Sequence, residues 1–196
     1  MKVGIVAIQG NVEEHVDSMQ KVLEEREKSW EIIKIKRKGQ VGNCDAVVIP
    51  GGESTTIGRL MHRGGISAEI VKLAEEGVPV LGTCAGLILF AKNVSTELGS
   101  APTMRLMDIW VERNAFGRQR ESFEVSLKIP VLGEKPYNAV FIRAPAITKA
   151  GRSVEVLATH EKYIVAARQK NLLALAFHPE LTEDGRFHHF FLNMVK

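Results

Sequence analysis

Apolar positions in the first half of the chain change their spacing from one segment to the next. The run "KVGIVAIQ" (2–9) is compact and apolar and closes at Gly10, as a buried strand does. "VEEHVDSMQKVLEE" then carries Val12, Val16, Met19 and Leu23 at helical spacing with charges between them. "WEIIKIK" alternates like a strand, and "DAVVIP" is a second buried run that stops at Pro50. "STTIGRLMHRGG" and "ISAEIVKLAEEG" predict helices closed by glycines. "VPVLGT" predicts a strand, with Pro79 near its start where a missing donor is tolerated, and "AGLILFAK" predicts a helix after it. Strands alternating with helices imply a parallel sheet covered on both faces.

The second half has a different rhythm. "LMDIWVERN", "ESFEVSLKI", "NAVFIRAP", "SVEVLATH" and "KYIVAARQ" are strand-like, "NLLALAFHPE" reads as a buried strand, and only "DGRFHHFFLNMV" is helical again. There is no internal repeat, low-complexity tract or linker. The expectation is one α/β domain spanning 1–196: a doubly wound, mostly parallel sheet flanked by helices, with extra antiparallel strands from the second half folded onto the same sheet.

Composition narrows the function classes. At 196 residues and 45% hydrophobic the chain has room for a proper core. The start "MKVGIVAIQG" is too soon interrupted for a signal peptide, and no apolar run approaches the roughly 20 residues that span a bilayer, so no membrane role and a cytoplasmic location are expected. The net charge of +3 is modest, and the basic stretch "KIKRKG" (34–39) lacks interleaved aromatics, so it reads as a solvated rim and nucleic acid is not an expected partner. Cys44 and Cys84 are too few for a disulfide framework. Cys44, before an apolar run, reads as an inert, half-buried thiol.

Cys84 differs. It lies in "GTCAG", the cysteine counterpart of the G-x-S-x-G elbow, between a predicted strand and a predicted helix. Small neighbours suit a strained turn, a helix start favours the thiolate, and the Ala85 N–H is placed to donate to an oxyanion. By itself the motif fits a packed cysteine equally well. A thiol nucleophile needs an imidazole base and that base a carboxylate; "FHPE" offers His178 and Glu180, which on an extended backbone point to the same side, with Pro179 restricting the chain between them. "IPGGEST" adds Gly51 and Gly52 after another strand, a turn able to aim N–H groups at an anion; it lacks a Walker lysine, and its bland reading is a connection capped by Ser54. All three segments follow predicted buried strands, where groups on open parallel sheets gather.

This constellation resembles the class I (triad) glutamine amidotransferases. The residues that carry the resemblance are "AIQGNVEEH", "PGGESTTI", "GTCAGLILFAK", "LMDIWVERNAFGRQ", "SFE", "VFIRAPAI" and "FHPELTEDGRFH", in the family's order over nearly the whole chain. "VERNAFGRQ" and "VFIRAPAI" point, within it, to the glutaminase subunits of pyridoxal 5'-phosphate synthases. The resemblance implies Cys84 as nucleophile, His178 as general base and acid, and Glu180 as its orienting partner. It also implies glutamine binding by Gly52, Glu53, Ser54, Arg113, Ile142 and Arg143, and an oxyanion site at Gly51, Gly52 and Ala85. No metal or organic cofactor is implied, and His188 and His189, adjacent on a helix, read as structural or surface residues. The implied substrate is L-glutamine. The implied partner is a (β/α)₈-barrel synthase, assembled as a large ring, that receives ammonia internally and activates the glutaminase on docking.

Two places depart from the family pattern: residues 93–106 match it loosely, with Arg105 where a small residue is expected, and Trp110 is bulkier than expected. The alternatives are the glutaminase subunit of another amidotransferase, a non-catalytic regulatory subunit of the same fold, or a cysteine hydrolase sharing only the elbow.

Overall fold

The computed structural model describes residues 1–26, 29–95, 102–117 and 121–195. The first half follows the predicted alternation: β1 (Lys2–Val6), α1 (Val12–Glu24), β2 (Glu31–Ile35), β3 (Ala46–Ile49), α2 (Ser54–Arg63), α3 (Ile66–Glu75), β4 (Val80–Thr83) and α4 (Ala85–Phe90). Then come β5 (Ala91–Ser95), β6 (Met107–Glu112), β7 (Ser122–Leu127), β8 (Tyr137–Ile142), β9 (Ala146–Ala150), β10 (Glu155–His160), β11 (Tyr163–Gln169), β12 (Leu172–Leu175) and α5 (Arg186–Leu192). The main sheet has the order β2-β1-β3-β4-β12-β11-β9-β6-β5, with β10 paired to β11. β2, β1, β3, β4 and β12 are mutually parallel, while β12–β11, β11–β9 and β9–β6 are antiparallel.

Burial explains why the central strands read as unbroken apolar runs. Every residue of β3, β4 and β12 is buried, as for strands covered on both faces. The buried stripe of α1 is His15, Met19, Val22 and Leu23, so a histidine stands on the face that packs inward. Cys44 is buried and free, and desolvation, with Asp45 nearby, pushes its thiol up to about 11, which leaves it inert. The basic stretch is tied down as a rim: Lys34 pairs with Glu13, and the Gly39 N–H donates to Glu69.

The structure departs from the sequence reading at four elements. The helix predicted over "AGLILFAK" ends at Phe90, because Ala91 turns extended (φ −64°, ψ 141°) and pairs with Met107 of β6; strand pairing overrides helix propensity there. β9 was not anticipated, since the strand predicted to run through "NAVFIRAP" breaks at Arg143, at φ 43°, and restarts after Pro145. β7 and β8 form a two-stranded sheet of their own instead of joining the main one. The strand predicted to include "FHPE" ends at Leu175, and Pro179–Leu181 is a 3₁₀ turn. Of the divergent positions, Arg105 has a left-handed φ of 54°, a conformation that favours glycine, which gives the expected small residue a physical reason. Trp110 lies beneath Lys149, whose Nζ is 4.7 Å from the ring centroid. Residues 96–101 of the divergent segment, and Arg118 and Gln119 of "VERNAFGRQ", lie outside the described residues.

Candidate active site

Three neighbouring parallel strands end at one level, and each delivers a part of the site. Ile49 of β3 is in register with Gly82 of β4, and Leu175 of β12 with Thr83, so Gly51-Gly52, Cys84 and His178 emerge side by side. The Cys84 N–H donates to Leu175 O at 2.8 Å, which ties the backbone of Cys84 to β12. Cys84 itself is held at φ 48°, ψ −98°, a conformation that L residues avoid and that persists only where the surroundings enforce it. The flanking glycines make the turn possible. A methyl group on Gly82 would lie 2.7 Å from the Gly86 carbonyl carbon, and one on Gly86 would collide with the Ile49 carbonyl oxygen. The G-x-C-x-G spacing is therefore a packing requirement of this elbow.

His178 and Glu180 meet by a different route from the one the sequence suggested. His178 remains extended at φ −108°, ψ 90°, and the 3₁₀ turn beginning at Pro179 folds Glu180 back toward the imidazole. Proline suits the first position of such a turn because its φ is preset and no N–H is lost. Glu180 Oε1 sits 2.7 Å from His178 Nδ1, with side-chain exposures of 0% and 4%. That partner keeps a proton on Nδ1, which donates to the carboxylate, and leaves Nε2 for the thiol. A methyl group on Gly51 would lie 2.5 Å from His178 Cε1 and 3.4 Å from Cys84 Cβ, so the ring is wedged between the Gly-Gly turn and Cys84. Burial opposes charge on His178, but hydrogen bonds with Cys84 and Glu180 outweigh it and push the imidazole up to about 10. Burial likewise opposes charge on Glu180, while His15 and His178 hold its carboxyl below the usual range.

Around this cluster is a cavity of about 400 Å³ whose lining includes Asn11, Gly52, Glu53, Cys84, Arg113 and His178. That volume falls at the lower end of small-molecule sites. The Gly51 carbonyl accepts from the Asn11 N–H at 3.1 Å, and the peptide is trans, so the Gly52 N–H points away from Asn11. Ala85 opens α4, where its N–H is one of the helix's unpaired donors. Glu53, not Ser54, caps α2: its oxygens accept from the Thr55 and Thr56 N–H groups at 3.0 and 2.7 Å. Slight burial works against its charge, but these hydrogen bonds bring Glu53 down to about 2. Arg113 Nη2 stands 3.4 Å from both Glu53 Oε1 and Thr55 Oγ1. Ser54 and Ile142 also line the cavity, and Cys84 Sγ lies 3.9 Å from Ile142 O. Arg143 also borders the cavity, but its guanidinium is 71% exposed and committed to Glu121 at 3.0 Å.

Four polar residues of the cluster carry no local mark in the sequence. Asn11 Nδ2 donates to Glu180 Oε1 at 3.3 Å, and Gln9 Oε1 accepts from the Glu53 N–H at 2.9 Å. His15 Nε2 hydrogen-bonds Thr83 Oγ1 at 3.0 Å. The available signal was His15 itself, four residues before Met19 on the apolar stripe of α1. His188 is buried against Ser18 at 3.2 Å, and His189 faces Glu25 at 2.9 Å, so the adjacent pair diverges as expected of a helix.

A model of the SNO glutamine amidotransferase family matches residues 5–196. The chain belongs to that family. Several similar proteins carry the name pyridoxal 5'-phosphate synthase subunit PdxT. The one from Methanococcoides burtonii is 57% identical, covering 100% of this chain and 99% of its own length. The one from Methanocella arvoryzae is 56% identical, covering 100% and 98%. A solved structure described as a glutamine amidotransferase superposes with a TM-score of 0.87 at 42% identity, covering 98% of each chain. The SNO amidotransferase match contains the elbow, the Gly-Gly turn and the His-x-Glu turn, so fold and cluster fall in one family span. Among the described residues no helix is long and apolar enough to cross a membrane.

Proposed function

We propose that the whole chain is a single glutaminase domain that hydrolyses L-glutamine to L-glutamate and ammonia and supplies the ammonia to a pyridoxal 5'-phosphate synthase partner for vitamin B6 synthesis. The observation that carries the mechanism is the strained Cys84 elbow with the His178–Glu180 pair wedged beside it. The Cys84 thiolate attacks the side-chain amide carbon of glutamine. The N–H groups of Gly52 and Ala85 receive the oxyanion, with Gly51 setting the turn. Protonated His178 gives its proton to the leaving nitrogen, ammonia departs, and a glutamyl thioester remains. Neutral His178 then takes a proton from water as it attacks the thioester, and glutamate and the thiolate–imidazolium pair are regenerated. Glu180 keeps the imidazole in the required tautomer and stabilises its charged form.

Glutamine brings a carboxylate and an ammonium. Arg113 is the cation for the carboxylate, with Gly52, Glu53, Ser54, Ile142 and Arg143 shaping the rest of the binding surface. The partner is a (β/α)₈-barrel subunit in a ring-shaped assembly, which receives ammonia before it protonates in bulk water, and the complex works in the cytoplasm. The test is glutamate release from glutamine, with and without that synthase. Cys84→Ala is expected to reduce it to background, and undiminished release in the mutant would overturn the nucleophile. Absence of stimulation by the synthase would overturn the partner.

A further inference from the structure

The triad carboxylate has a second neighbour that the mechanism does not use. Glu180 Oε1 is occupied by His178 Nδ1 at 2.7 Å and Asn11 Nδ2 at 3.3 Å. Its other oxygen, Oε2, has no aligned hydrogen bond among the described residues, yet His15 Nε2 lies 3.3 Å from it. Both side chains are fully buried, at 0% exposure. The same Nε2 bonds Thr83 Oγ1 at 3.0 Å, and Thr83 immediately precedes Cys84. The contacts thus close a ring: Thr83, His15, Glu180, His178, Cys84 and back along the chain to Thr83.

The protonation state of His15 follows from its partners. Its Nδ1 is buried without one among the described residues. A buried N–H with no acceptor is costly, so the proton belongs on Nε2 and the ring is neutral. Burial acts in the same direction, lowering the imidazole below its ordinary value although Glu180 and Glu14 favour charge. The titratable groups facing it are Glu180 and His178 from the turn after β12, Glu14 on its own helix and His188 from α5. A neutral Nε2–H bonded to the Thr83 hydroxyl, 3.3 Å from Glu180 Oε2, sets a fixed dipole beside the carboxylate without a competing charge.

We propose that His15, anchored by the Thr83 hydroxyl, is a positioning residue that holds the Glu180 carboxylate ionised and oriented toward His178. This rests on the glutaminase reading above. It ties the third triad member to the nucleophile's own strand, so that acid, base and thiol share one frame. Without the dipole, Glu180 protonates more readily and the imidazole loses its orienting acceptor.

The experiment uses the chain in complex with its synthase and three substitutions. His15→Phe keeps bulk and removes the donor, His15→Gln keeps a donor, and Thr83→Val removes the anchoring hydroxyl at nearly constant shape. His15→Phe is expected to lower kcat for glutamate release about tenfold with KM unchanged, a fraction of the roughly 10²–10⁴-fold that acid–base catalysis contributes. The acidic limb of the kcat/KM profile, and of Cys84 alkylation by iodoacetamide, moves to higher pH. His15→Gln recovers part of the loss, and Thr83→Val shifts the limb in the same direction by less. Wild-type kcat and an unmoved acidic limb in His15→Phe overturn the proposal. So does equal damage in Phe and Gln variants with the limb in place, which is the signature of packing alone. If His15→Phe does not fold, Thr83→Val decides by the same limb. Cys84→Ala separates the two readings: persistent activity there overturns the triad itself, whereas loss there beside a normal His15→Phe overturns only the role of His15.

Discussion

Gly51 shows how a single missing methyl group sets the site. A Cβ there would press on His178 Cε1 at 2.5 Å and Nδ1 at 3.1 Å, and the imidazole would have to leave its place beside Cys84. Gly51→Ala is expected to cost at least about a hundredfold in kcat, the effect of roughly an ångström of misplacement, while the melting temperature changes little. Gly42, with open space around its would-be Cβ, is the control, and Gly42→Ala should leave glutamate release unaltered. At this scale the Cys84, His178 and Glu180 cluster is legible because each member carries a local mark: glycines beside Cys84, a proline between His178 and Glu180. His15 and Asn11 carried none. A histidine in a charged helix segment shows its role only when the helix face that packs inward is known, and Asn11 precedes that helix in an unremarkable loop.

Elements are stapled around this cluster by side chains remote from it. Arg186, at the start of α5, donates to the carbonyls of Leu132, Lys135 and Pro136 and grips Asp184 with Nε and Nη2. It fastens the turn before β8 to the segment that follows the His-x-Glu turn. Lysine lacks the planar fork, so Arg186→Lys should lower stability by about 1–3 kcal/mol, read as a fall in the urea midpoint, with activity per folded molecule retained. The elements themselves were legible where burial was two-sided or alternation regular. They were not legible at Ala91 and Ala146, where five-residue strands take their identity from partners distant in sequence. The His-x-Glu turn reads as strand for a similar reason: apolar continuity from β12 masks the point at which the ladder ends.

Across the whole molecule, buried histidines make stability depend on pH in a definite direction. Burial lowers His188 to about 4 and lowers His15 as well, so the unfolded chain binds those protons more readily. Their effect is absent above pH about 6.5 and destabilises progressively as pH falls toward 4. Glu180, also lowered, adds a loss in the same direction below its ordinary carboxylate range. His178, raised to about 10, runs oppositely: its contribution is complete below about 6.5 and fades as pH rises through 10. Urea midpoints between pH 7 and 4.5 should therefore fall with acidity, and His188→Gln should remove up to about 1.4 kcal/mol per pH unit of that slope. Alternation in the first half announced the parallel sheet, but sheet order was beyond the sequence, since nothing local says that β12 lies against β4. That placement has a consequence for the chain while it is being made. β12, last of the described strands, is laid into the interior of the sheet between β4 and β11. Cys84 leaves the ribosome well before His178, as a bare thiol without a base. A nascent or shortened chain thus holds the Cys84 elbow without the His178–Glu180 pair until the final strand has been threaded home.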